Sequence, residues 1–155
     1  MRHNEEGGIE PQLSIAVLDA LLDEAVDLSK QTRSFLAQPR SRSGDPMAEL
    51  LWVQETTRLS ARLGHSVAWI LARKACHSGE ITVAALREDR WRLGGAPVCA
   101  ASHDDDERIP EGLVILLQKS HALYQRLERL DQMTADAGAR PTEDPVAAGR
   151  STLVH

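Results

Sequence analysis

Aromatic residues are scarce in this 155-residue chain, which has one Phe, one Tyr and three Trp. Also missing are the runs of Val, Ile, Thr and Tyr that suit a pleated, half-buried surface, whereas Leu and Ala abound. A strand-rich fold is thereby excluded, and the composition reads as all-α. With only two cysteines, Cys76 and Cys99, there is no disulfide framework. No apolar run approaches the ~20 residues that a membrane span needs. The N-terminus lacks the basic lead and apolar stretch of a signal peptide. A soluble, cytoplasmic protein with no membrane partner is expected. Basic residues are outnumbered, 18 against 23 acidic ones, for a net charge of -5, which argues against non-specific binding to nucleic acid.

The chain is organised around the stretch from Ala48 to Gly79, which contains no proline and a single internal glycine, Gly64. Asp45 is placed to cap it, Pro46 suits a first helical turn, and Gly79 suits a left-handed C-terminal cap. The helix so predicted is roughly 50 Å long at ~1.5 Å per residue. Projected at 100° per residue, Trp52, Thr56, Leu59, Leu63, Val67, Ile70 and Leu71 form a broad apolar stripe of the kind that faces a bundle core. Glu55, Arg58, Arg62, Trp69 and Arg73 fall together on a second stripe. Arg58 and Arg62 lie one turn apart and repel mildly, and Glu55 cannot serve both. That stripe is either a solvated polar face with one tryptophan in it, or a face offered to a partner. Trp69 then needs a cover: the short helix that follows, a second subunit or a partner.

Residues 1–12, with Gly7-Gly8 and Pro11, are a flexible lead. A helix is predicted over Leu13 to Ala37, with Leu18, Leu21, Leu22, Ala25, Leu28, Ser29, Thr32, Phe35 and Leu36 on its inner face. Asp19, Asp23 and Asp27 make an acidic stripe on its other side, read as a solvated face. Gln38 to Pro46 is a loop that returns the chain antiparallel into the central helix. Thr82 caps a short helix predicted over Val83 to Arg92, ended by Gly94-Gly95. Ala96 to Ile109, with the acid block Asp104 to Glu107, reads as a mobile surface loop. A last helix opens at Pro110 and Glu111 and carries the cleanest apolar stripe, from Leu113 through Leu116, Leu117, Ser120, Leu123, Tyr124, Leu127 and Leu130 to Thr134. The expected architecture is a three-helix antiparallel bundle over 13–137 with a short extra helix, followed by a disordered tail over 138–155.

Little in the chain suggests catalysis. Cys76, His77, Cys99 and His103 are zinc-type residues without a C-x-x-C pair, and adjacent residues on a helix point about 100° apart, so they read as surface cysteines and ordinary histidines. The glycine pairs lack the lysine and helix of a phosphate loop. His65 stands alone in the central helix. No cofactor and no metal are expected, and recognition is the expected chemistry.

The central stretch resembles an alphaproteobacterial family, the regulators of CtrA degradation (RcdA). The resemblance is carried by Glu55-x-x-Arg58-Leu59-x-x-Arg62-Leu63, then Ala68-Trp69-Ile70-Leu71, Ala75, Gly79-Glu80 and Arg92-Leu93. It implies a three-helix bundle that forms a homodimer, has no catalytic site and acts as an adaptor for the ClpXP protease. Such an adaptor works with the protease ATPase subunit or other adaptors and helps deliver protein cargo, cell-cycle regulators such as CtrA. The motif residues Glu55, Arg58, Arg62 and Trp69 carry over as partner or dimer interface, with Arg73 on the same stripe. Gly64 and His65 depart from the pattern. The alternative reading is a homodimeric helical scaffold that binds another regulatory protein without a protease.

Overall fold

The computed structural model describes residues 13–139. The lead over 1–12 and the tail over 138–155 lie outside them, apart from the backbone of the last two helical positions. Among the described residues there is no strand, and the fold is all-α. Helix α1 spans Ile15–Leu36, α2 Pro46–His77, α3 Val83–Leu86, α4 Ala96–Cys99 and α5 Glu111–Ala139, with a 3-10 turn at Asp89–Trp91.

Local chemistry sets these boundaries. Ser14 Oγ accepts from the Val17 amide at the start of α1. Asp45 Oδ1 accepts from the Met47 amide at 3.0 Å, and Pro46, which has no amide proton to lose, occupies the first turn of α2. Gly79 takes φ +81° just past the end of α2, so that its own amide reaches the Cys76 carbonyl and that of Glu80 the Ala75 carbonyl. The short helix is shorter than its pattern predicted. Thr82 does cap it, but Glu88 is extended and breaks the run into α3 and the 3-10 turn.

Leu18, Leu21, Ala25 and Leu28 of α1, Leu51, Leu59, Leu63 and Ile70 of α2, and Leu113, Leu116, Leu117, Leu123 and Leu127 of α5 form one apolar core. Leu71, which the projection placed on the inner stripe, is 48% exposed, and Leu51 takes an inner place instead. The acidic stripe of α1 is exposed, although Asp19 pairs with Lys74 at 2.6 Å.

Helix directions follow from these pairings. Asp19 of α1 meets Lys74 near the end of α2, and Phe35 stacks against Trp52 near its start, so α1 and α2 are antiparallel. Glu24 bonds Arg126, and Gln31 bonds Lys119, so α1 is antiparallel to α5 as well. Helices α2 and α5 therefore run parallel. The connector between them has to travel back along the bundle, over the side of α2 that α1 and α5 leave free.

Candidate interaction site

The second stripe of α2 lies under that returning connector. Glu55 and Arg62 have no exposed surface, Trp69 is 3% exposed and Arg73 8%. The stripe is thus not a solvated face, and the first cover that Trp69 meets is its own chain.

Read down the connector, the contacts descend α2 step by step. Arg73 donates to the Trp91 carbonyl at 2.5 Å. Its guanidinium lies 4.1 Å from the centre of the Trp69 ring, a cation–π contact. Asp131 of α5 closes this first cluster. Its Oδ1 accepts from Trp69 Nε1 at 2.9 Å and from Arg73 at 3.3 Å, and its Oδ2 from Arg92 Nε at 3.0 Å. One carboxylate here faces two guanidinium groups, and burial lowers the Arg73 pKa to about 10 against the pull of Asp131.

The next step is set by shape. The His65 ring covers Gly94 and Gly95, and a Cβ on Gly95 would lie 2.5 Å from the ring and 2.9 Å from Cys99 Sγ. Gly95 has φ +79°, so both its backbone and its surroundings require glycine. Tyr124 of α5 donates to the Gly94 carbonyl at 2.7 Å. The departure of Gly64-His65 from the family pattern is thus half explained: His65 packs the glycine turn, whereas a Cβ at Gly64 would meet no neighbour within 4 Å among the described residues.

Further down, α4 ends in carbonyls with no helical partner. Arg62 Nε donates to the Cys99 carbonyl at 2.9 Å and its Nη2 to Ala101 at 2.6 Å. Its Nη1 reaches the Leu117 carbonyl at 2.9 Å and Ser120 Oγ at 3.3 Å. Arg58 donates to the Val98 carbonyl at 2.7 Å and pairs with Glu55 at 3.1 Å. A ring nitrogen of His121 lies 2.9 Å from the Ala100 carbonyl. Two guanidinium groups at the C-terminal end of α4 also suit its dipole. Burial, then repulsion by Arg58, lowers the Arg62 pKa to about 10, and it stays charged at neutral pH. Glu55 in turn accepts from the Asp104 amide at 3.4 Å. At the foot, Arg108 bridges Asp106 and the cap residue Asp45, and that hydrogen bonding holds the Asp106 carboxyl at about 2.

The structure therefore brings together all five stripe residues, along one rail that holds the connector. Arg58 and Arg62 act at one step, Trp69 and Arg73 at another. Asp131 escaped sequence reasoning, although the signal was present: it continues the inner stripe of α5 one turn beyond Leu127, an acid on an apolar face.

The candidate zinc ligands are dispersed. Cys99 is fully buried rather than at the surface, because α4 turns it inward, and burial raises its thiol pKa. A His77 ring nitrogen lies 2.6 Å from the Leu13 carbonyl. Among the described residues no group of three or more His, Cys, Asp or Glu side chains could hold a metal ion. No described helix is long and apolar enough to cross a membrane.

Among known structures the chain is similar to RcdA from Caulobacter crescentus, with a TM-score of 0.64 and 26% identity over 81% of this chain and 97% of that one. Among curated proteins none matches it. A family model described as a protein of unknown function, DUF1465, matches residues 9–155. The chain, an all-α bundle similar to RcdA, belongs to the DUF1465 family.

Proposed function

We propose that this protein is a non-catalytic cytoplasmic adaptor in regulated proteolysis that helps deliver cell-cycle regulators to the ClpXP protease, and that it works as a homodimer. The observation that carries the reading is the likeness to RcdA along nearly the whole of that chain. The stripe fits it in an indirect way. Glu55, Arg58, Arg62, Trp69 and Arg73 shape the connector, and its outer side, where Val98 is 45% exposed, is the surface we assign to a partner. Interaction proteins need such a surface held still, because ordering a loose loop on binding costs affinity. The test is retention of purified ClpX on the immobilised protein, with and without auxiliary adaptors, followed by degradation of a cargo protein. Retention together with faster degradation supports the proposal. Binding of another regulator with neither effect would favour a scaffold that acts without a protease.

A further inference from the structure

Helix α2 has a third side, facing neither the core nor the connector, and it carries no charged residue from Leu50 to Leu71. Its positions alternate in steps of three and four residues, the spacing of a two-helix seam. Large apolar side chains are exposed at both ends: Leu50 57% and Val53 59% at one, Leu71 48% at the other. Ile15 of α1 borders the same surface groove as Leu71 and is 45% exposed, which widens that apolar end. Between the ends the row narrows to Ala61, Gly64 and Ala68.

Gly64 sharpens the case. Glycine inside a helix weakens it, so its place calls for a close neighbour. Among the described residues a Cβ at Gly64 would meet nothing within 4 Å, so none of them explains the glycine.

We infer that this face packs antiparallel on the same face of a second copy, with the two-fold axis beside Ala61. The inference rests on the homodimer reading above and names its surface. Symmetry selects the occupant, because a two-fold contact must match itself when reversed. The row does so about Ala61: Leu50 meets Leu71 of the partner subunit, Gln54 meets Ala68 of the partner subunit, and Thr57 meets Gly64 of the partner subunit. Large residues meet at the ends and small ones near the axis, where the backbones come closest. The flanks agree, since Val53 comes opposite Val67 of the partner subunit, and no like charges are forced together along the seam.

The experiment is sedimentation equilibrium of the full chain and of Gly64→Glu, with circular dichroism to confirm the helices. The open space around Gly64 lets the variant fold. The expected result is a dimeric parent, with dissociation of the variant raised by at least about tenfold, which is 1.4 kcal/mol or more. A second variant, Ala61→Cys in a Cys76→Ser background, is expected to cross-link to itself on mild oxidation. A dimeric parent whose Gly64→Glu variant dimerises equally well, with no cross-link at position 61, overturns this surface and leaves the dimer standing. A parent with the mass of a single chain at every concentration overturns the dimer itself.

Discussion

Arg62 makes four hydrogen bonds, all to neutral oxygens, and none of its side chain is exposed. Such a residue serves the backbone that it binds. Carbonyls of an irregular segment have no ladder of their own, and each one buried without a donor costs roughly 1–3 kcal/mol. Arg62→Met keeps much of the packing and removes the donors, so a loss of about 3 kcal/mol is expected in urea unfolding. Asp131→Ala strands Arg73 beside Trp69 and should cost about 3–5 kcal/mol, whereas Asp131→Asn, which still accepts from Trp69, should cost less. Tyr124, the one tyrosine, gives a direct optical check. Burial pushes its pKa from 10.0 up to about 12. A raised folded pKa stabilises the protein fully below pH 10 and loses that contribution as pH climbs through about 12. Phenolate absorbance should therefore appear near pH 12 in the native protein and near pH 10 in urea; equal midpoints would contradict the burial. At this scale the sequence was partly legible. Trp69 among three arginines called for a cover, but the stripe fitted a solvated polar face as well, and periodicity carries no information about which segment of an irregular chain supplies the carbonyls.

Helix α2 shows what periodicity can and cannot decide. Its caps at Asp45 and Gly79, its length and its core residues Leu59, Leu63 and Ile70 follow from spacing and turn chemistry, and the structure agrees. A helix buried on two sides, however, has an apolar side and a polar but equally buried one, and the second resembles a solvated face until its cover is known. The same limit explains why Ala96 to Ile109 read as a mobile loop. Four residues of α4 are too few to show a period, yet they turn Cys99 inward and offer the carbonyls that Arg58 and Arg62 take. Emptying a core site on α2 or α5 is the plain test: Leu63→Ala or Leu123→Ala should each cost about 2–5 kcal/mol. At the glycine turn, Gly95→Ala should cost more than about 1 kcal/mol, because it combines a left-handed backbone with a collision against His65. An unchanged melting temperature for Gly95→Ala would mean that the turn is open in solution.

Parallel packing of α2 and α5 gives the whole molecule its distinctive demand. Two helices joined in parallel need a crossover as long as the bundle, and long connections without regular structure are uncommon in compact domains unless they are anchored. Here the anchors lie on α2 itself, from Arg73 at the top through His65, Arg62 and Arg58 to Glu55 and the Asp45 cap, with Tyr124 and Asp131 lending support from α5. Among the residues by which the chain resembles the RcdA family, Glu55, Arg58 and Arg62 bond the connector directly, while Trp69 and Arg92 of the connector meet on Asp131. Hydrogen exchange, resolved by mass spectrometry and compared between the parent chain and Arg62→Met, tests this most directly, since local opening is read segment by segment. Amides of residues 96–103 are expected to lose protection in the variant while the centres of α1 and α5 keep theirs. Unchanged protection over residues 96–103 would contradict it.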